Sequence, residues 1–253
     1  MKLSVVIPNY NDLRIRRAVA SVQRQTHPDR ELLIIDGGSS NPELLAYYDS
    51  CGADRVVREK DGGIFDALNK GLRLATGDVV YLMGSDDELS DEHVFADVAR
   101  RLADEPRTDG ICIGCEFVNS AGEIVRSWYP REVSADLIKR GLLPPHFSLF
   151  LRRELYDLVG EFRFSEVGNV ACDSVWLLDL AIRKPDLRIP VMNEHHLRME
   201  YGGASTRSLG AIWRQFRVVH RNARRNAAHL PFWYFYSALK TLSKVRQLRL
   251  FRG

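Results

Sequence analysis

Cysteine is scarce in this chain: Cys51, Cys112, Cys115 and Cys172 are its four. Only Cys112 and Cys115 have C-x-x-C spacing, no second pair follows, and Ile111-Cys112-Ile113 reads as strand. Buried reduced thiols of a cytosolic protein are therefore expected ahead of a zinc or redox site. No apolar run approaches the ~20 residues that span a bilayer. The segment Met1 to Pro8 is too short for a signal peptide and is closed by proline, so it reads as a strand and not as an export signal. A net charge of +3 is too small to point to nucleic acid. Internal repeats and low-complexity segments are absent as well.

What is present is 45% hydrophobic and 27% charged residues over 253 positions, enough for one large α/β domain with an appendage. Strands are expected at Leu3 to Ile7, Glu31 to Ile35, Arg55 to Val57 and in the apolar run that starts at Val79. Helices are expected between them, at Leu13 to Gln25, Pro42 to Cys51 and Ile64 to Ala75. This alternation predicts a parallel sheet with helices on both faces. Further on come a helix from Asp91 to Leu102 and a hairpin of Gly110 to Val118 with Glu123 to Trp128. A short helix at Ser134 to Arg140, a strand at Ser148 to Leu151 and a helix at Arg153 to Val159 follow. A helix at Asp173 to Ile182 and one or two strands in Leu187 to Leu197 complete this half. The boundaries expected are a domain at 1–207, with halves 1–105 and 106–207, and a basic helical tail at 208–253.

Polar clusters follow the expected strand ends. They are Pro8-Asn9-Tyr10, Asp36-Gly37-Gly38-Ser39-Ser40, the run Lys60 to Gly71, and Ser85-Asp86-Asp87. Loops after successive parallel strands converge on one cleft. Glycine lets backbone approach a ligand closely, and carboxylates bind a base, ribose hydroxyls or a metal. Asp86-Asp87 stands just beyond a strand expected to be buried, where paired carboxylates are costly without a function. Holding a hard divalent cation with phosphate oxygens is the natural one.

The ordered set Val5-Val6-Ile7-Pro8-Asn9-Tyr10-Asn11, Ile34-Ile35-Asp36-Gly37-Gly38-Ser39-Ser40, Asp61 to Gly71, Ala75-Thr76-Gly77-Asp78 and Gly84-Ser85-Asp86-Asp87 resembles the family 2 glycosyltransferases, over about residues 3–205. The branch it is most like builds bacterial surface polysaccharides. The resemblance implies a GT-A-type, Rossmann-like, mostly parallel central sheet. It also implies an inverting, metal-dependent transfer from a nucleoside-diphosphate sugar, with a UDP-sugar the expected donor and a glycan or lipid-linked acceptor. Pro8, Asn9 and Tyr10 would line base and ribose, and Asp36 would hydrogen-bond the base. Asp61, Asp66 and Lys70 would lie in the segment covering nucleotide and phosphates. Asp86 would contact ribose or sugar, and Asp87 would bind the metal, manganese or magnesium. Competing readings stay open: Asp36 in a plain turn, Asn9 as a helix cap, and Asp66 with Lys70 as an ion pair four residues apart on a helix.

Inverting transfer needs a carboxylate to take the acceptor hydroxyl proton. Asp173, before an apolar helix whose dipole favours an anion, is the candidate, with an N-cap role as the alternative and Glu166 in reserve. His146, in Pro144-Pro145-His146-Phe147, resembles the branch's histidine-bearing segment and either faces a sugar or is structural. Gly203 and Ser205, in Tyr201-Gly202-Gly203-Ala204-Ser205, resemble a loop that closes over donor phosphates. His195 and His196 are further candidates for completing the metal site. The tail sets Phe232-Trp233-Tyr234-Phe235-Tyr236 among Arg214, Arg217, Arg221, Arg224, Arg225, Lys240, Lys244, Arg246 and Arg249. That pattern suits peripheral attachment to an anionic cytoplasmic membrane face, or a helical appendage packing on the domain or joining subunits in an oligomer. A sugar-nucleotide pyrophosphorylase is disfavoured, because Pro8-Asn9-Tyr10 stands where that chemistry wants a glycine-rich loop with arginine and lysine. A non-catalytic nucleotide-sugar-binding or membrane scaffold is the other alternative.

Overall fold

Leu3, Val5 and Ile7 of β1 (Leu3–Asn9) pack into one apolar layer, while Val6 between them packs into a second on the other side. Successive strand side chains point to opposite faces, so a nearly continuous apolar run marks a strand covered on both. β2 (Arg30–Asp36) and β4 (Val79–Leu82) are built the same way. The computed structural model describes residues 1–119, 121–164 and 172–200.

Helices α1 (Ile15–Gln23), α2 (Pro42–Tyr48) and α3 (Ile64–Leu74) link β1, β2, β3 (Arg55–Arg58) and β4. Each link is a crossover, so these strands run parallel in the order β3-β2-β1-β4, with Val6 opposite Leu33 on one side and Leu82 on the other. The remaining elements are β5 (Glu88–Leu89), α4 (Val94–Asp104), β6 (Gly110–Val118), β7 (Ile124–Trp128), β8 (Val133–Ser134) and α5 (Ala135–Lys139). They continue with a 3-10 turn (His146–Ser148), β9 (Leu149–Arg152), α6 (Arg153–Val159), α7 (Cys172–Arg183), β10 (Arg188–Ile189) and β11 (Val191–Glu200).

The sheet continues past β4 as β9-β6-β11-β5, with β7 on β6. β9 is antiparallel to both β4 and β6, β6 and β11 are parallel, and β5 is antiparallel to β11. The expected mostly parallel sheet thus holds across the first four strands and becomes mixed beyond them. Alternation sets strand direction only where a crossover helix joins neighbours, and that condition ends at β4. The expected hairpin forms, as β6 with β7.

One face of the sheet is covered by α1, α2 and α4, and the other by α3, α5, α6 and α7. Two helices begin later than the periodicity suggests. Arg14 folds back on Asp12, whose Oδ1 accepts its backbone N–H at 2.9 Å, so α1 starts at Ile15. Asp91 accepts the N–H of His93 at 2.9 Å, so α4 starts at Val94. At the end of the sheet where β1 and β4 begin, buried Glu31 accepts from the Ser4 hydroxyl, the Thr76 N–H and the Lys2 ammonium. Burial alone would push its carboxyl up, but these bonds outweigh it and bring it down to about 2.

Candidate functional site

The loops after the first four strands leave the sheet at one edge and enclose a cleft of about 640 Å³. Pro8, Asn9 and Tyr10 come from β1 and its loop, Gly37 and Gly38 follow β2, Lys60 and Asp61 follow β3, and Ser85 follows β4. The start of α3 closes the cleft with Gly63, Ile64 and Ala67. All four polar clusters meet here. Tyr10 is 66% exposed and offers its ring for stacking.

Asp36 does not face this cleft as a reader of a base. It has no exposed surface, and it accepts from the Ser39 N–H at 2.9 Å, from the Ser39 hydroxyl, and from the Tyr48 hydroxyl at 3.0 Å. The turn reading therefore describes its side chain. A carboxylate only accepts, so Tyr48 donates to it and in turn accepts from Asn9 Nδ2 at 2.7 Å. Asn9 is buried in this network and caps no helix. Asn11, at φ 52°, completes the lock: its N–H donates to Ser39 Oγ, and its Oδ1 accepts from Ser40 and Asn41. The result is a rigid frame joining the ends of β1 and β2 beneath the cleft.

Asp61, half-buried, takes the position on the cleft. Its Oδ1 accepts from the Gly63 N–H at 2.9 Å, and its Oδ2 lies 2.5 Å from where a Cβ on Gly37 would stand. Glycine at 37 is what leaves room for that carboxylate. Asp66 and Lys70 do not line the cleft. Asp66 accepts the Gly62 N–H at 2.9 Å, and Lys70 pairs with Asp66 at 3.5 Å and with Glu59 at 3.0 Å. The ion-pair reading is what the structure shows for them, and they shape the loop that carries Asp61.

Beside Ser85, the two aspartates differ. Asp86 is partly exposed and lies 3.5 Å from Arg14 Nη1. Asp87 is 2% exposed and accepts the Gly84 N–H at 3.0 Å. A Cβ on Gly84 would sit 2.7 Å from the Asp87 carboxylate, so glycine is required here too. Burial raises the Asp86 carboxyl, with Arg14 opposing it. Burial, then the charge of Asp86, pushes Asp87 well above the usual carboxylate range. Burial and mutual repulsion disfavour the charged form of this acid pair, and a divalent cation would restore it, so the residues fit a metal. No third His, Cys, Asp or Glu joins them among the described residues. A cation held by one or two carboxylates completes its shell with phosphate oxygens and water.

Asp173 lies half-buried in the first turn of α7. Its charge reaches His146, which sits in the core among Tyr156, Phe162 and Trp176, with Nε2 3.2 Å from the Tyr156 hydroxyl. Burial brings the imidazole down to about 4 against the opposing pull of Asp173, so it is neutral near pH 7. His146 is thus packed among aromatic side chains, with its Nδ1 buried and without a hydrogen-bond partner among the described residues. His195 is fully engaged, with Nδ1 2.9 Å from Asp91 and Nε2 3.0 Å from Asp97. His196 Nε2 is 3.1 Å from Glu116 without the alignment of a hydrogen bond. Both tie β11 to its neighbours and stand apart from the acid pair as ligands. Cys112 and Cys115 are free, buried, and in the two different apolar layers. Three residues apart on a strand, they point to opposite faces and cannot share a metal.

Glu166, the Tyr201 to Ser205 loop with Gly203 and Ser205, and the basic tail lie outside the described residues. Lys60, Ile64 and Arg14 were not singled out from the sequence. Lys60 had a signal in its place beside Asp61, whereas Arg14 has Asp12 close by but meets Asp86 and Glu200, which are remote in the chain.

A curled mixed sheet with helices on both faces and a cleft at the strand ends defines a GT-A-type fold. Residues 4–158 match the glycosyl transferase family 2 profile, and the chain belongs to that family. A PGL/p-HBAD biosynthesis glycosyltransferase of Mycobacterium bovis is 30% identical over 164 residues, 63% of this chain and 62% of that protein. The match thus spans less than two thirds of that relative's length. An uncharacterized glycosyltransferase of Mycobacterium tuberculosis is 36% identical over 105 residues, 40% of each chain. Among solved structures, S. aureus TarS 1–349 superposes with a TM-score of 0.66 at 20% identity, covering 92% of this chain and 71% of that one. The mannosyltransferase PcManGT from Pyrobaculum calidifontis, in complex with GDP-Man and Mn2+, gives 0.61 at 16% identity, covering 98% and 75%. No helix of the described residues is long and apolar enough to cross a membrane.

Proposed function

We propose that this chain is an inverting, metal-dependent glycosyltransferase that moves a sugar from a nucleoside-diphosphate sugar to a glycan or lipid-linked acceptor. The observation that carries this reading is the acid pair Asp86-Asp87, which directly follows Ser85 in the wall of a cleft built from four strand ends. Tyr10 and Pro8 flank the base, Asp61 meets the base or ribose, and Asp36 acts at one remove through Tyr48. Asp87, with Asp86 beside it, would hold manganese or magnesium, which neutralises charge on the departing diphosphate. Asp173 takes the proton of the acceptor hydroxyl. The acceptor oxygen bonds to the anomeric carbon as the bond to diphosphate breaks on the opposite side, which inverts that carbon.

UDP is the expected nucleotide, supported by TarS complexes with UDP and UDP-GlcNAc, with GDP the alternative from the mannosyltransferase. A role in building surface polysaccharide at the cytoplasmic membrane face is supported by the basic aromatic tail, and the mycobacterial relative is a glycosyltransferase of PGL/p-HBAD biosynthesis.

Calorimetric titration of UDP, GDP, dTDP and CMP, each with and without manganese, tests the reading. One diphosphate binding in a manganese-dependent way supports it, and no binding by any of them to folded protein defeats it. Asp87→Ala should abolish the manganese dependence. Asp173→Asn should keep donor binding and slow transfer by about 10²–10⁴-fold. An Asp173→Asn enzyme at full rate removes Asp173 from the mechanism.

A further inference from the structure

Arg14 makes contacts that the transfer scheme does not use. Its Nε and Nη2 form a fork on Asp12, at 2.9 and 2.6 Å, which fixes the plane of the guanidinium. Nη1 then reaches Glu200 at 2.7 Å and Asp86 at 3.5 Å. Arg17 also pairs with Glu200, at 3.4 Å. Burial works against the charge of Asp12, and the bonds from Arg14 outweigh it, leaving that carboxyl below its ordinary value. Three segments far apart in the chain meet on this one side chain: the loop before α1, the acid pair after β4, and the last residue of β11.

We propose that Arg14 is the resident counter-cation of the acid pair, positioned by Asp12 and Glu200 to hold Asp86 while no divalent ion is bound. This rests on the metal reading of Asp86-Asp87. The separation to Asp86 is the longest of its contacts, an ion pair and not a close hydrogen bond, so Asp86 is the partner Arg14 gives up most easily. A divalent ion entering beside Asp86 meets the positive charge of Arg14 at short range and is repelled by it. A diphosphate brings the negative charge that offsets this repulsion. Metal binding is therefore weak in the free protein and strengthens when diphosphate is present. By linkage, metal strengthens diphosphate binding by the same factor. Arg14 is in this sense a positioning residue that couples the two ligands.

Free Mn2+ measured by electron paramagnetic resonance, with no nucleotide present, tests the idea without using activity. Arg14→Gln should bind Mn2+ about tenfold more tightly than wild type, because a like charge is gone. Glu200→Gln should bind it more weakly, since a carboxylate is lost and Nη1 is freed to pair fully with Asp86. Arg14→Lys keeps the charge and should stay near wild type. Circular dichroism confirms that each variant is folded. Unchanged or weaker Mn2+ binding in folded Arg14→Gln overturns the proposal, as does tighter binding in Glu200→Gln. If neither wild type nor Arg14→Gln takes up Mn2+, alone or with UDP or GDP, the metal reading itself fails, and this proposal with it.

Discussion

Among the described residues that line the cleft, Asp61 carries the one carboxylate. One oxygen is committed to the Gly63 N–H, and the other stands over Gly37. A diphosphate would repel it, so its partner in a bound nucleotide is a neutral donor, such as the ring N–H of uracil, thymine or guanine. In Asp61→Asn the side-chain oxygen still accepts from Gly63, so the new amide nitrogen faces the cleft as a donor. Preference should move from UDP toward CDP, whose ring N3 accepts, by about tenfold in the ratio of dissociation constants. Calorimetry on the two nucleotides measures that ratio. Equal weakening for both would place Asp61 at the ribose instead. In the sequence Asp36 and Asp61 look alike, each an aspartate before Gly-Gly in a cluster that follows a strand. Burial separates them, and burial depends on Tyr48 and Ser39, which carry no catalytic signature.

The 3-10 turn before β9 places His146 against α6 and α7, in a ring of aromatic side chains. This element should make the fold acid-sensitive. The imidazole is held down to about 4 when folded and returns to its ordinary 6.5 when unfolded, so the unfolded chain binds more protons below that value. Its contribution is complete above about pH 6.5 and is lost as pH falls, levelling off near pH 4, on the order of 3 kcal/mol. Glu31, brought down to about 2 from 4.5, adds a further loss that begins near pH 4.5, at the acid end of that window, and continues below it. Urea denaturation of wild type and His146→Phe between about pH 7 and pH 4 checks this. The variant should lose less stability over the interval, and parallel curves would clear His146. The same turn shows the limit of motif reading. The histidine was visible in the sequence as a site candidate, but its neighbours Tyr156, Phe162 and Trp176 come from elements that only packing brings to it.

For the whole molecule, the open question is where it works. The cations and aromatics of residues 208–253 predict binding to anionic lipid surfaces. Truncation after Arg207 should release the protein from vesicles that contain anionic lipid, read by cosedimentation, and unchanged binding would favour a tail that packs on the domain or on a second copy. The strand ends and crossover helices of the first half were legible because apolar runs, turn residues and 3.6-residue periodicity are local. The mixed second half was less so: apart from the β6-β7 hairpin, the pairings of β9, β6 and β11 join strands that are neither adjacent in sequence nor linked by single crossovers.

The sequence by itself determined the alternation of β1 to β4, the convergence of four polar loops and the acid pair beyond β4, because each follows from residue type and short-range spacing. Only the tertiary structure decided which of those residues are accessible. Asp36 and His146 are sealed into hydrogen-bonded or aromatic surroundings, Asn9 keeps its place in the cleft wall while its amide nitrogen is tied to Tyr48, and Asp66 and Lys70 are spent on each other and on their loop. It also brought the local pair Asp12-Arg14 to Asp86 and Glu200, which are distant in the chain. Contacts across such separations depend on how layers pack, and no local pattern encodes them.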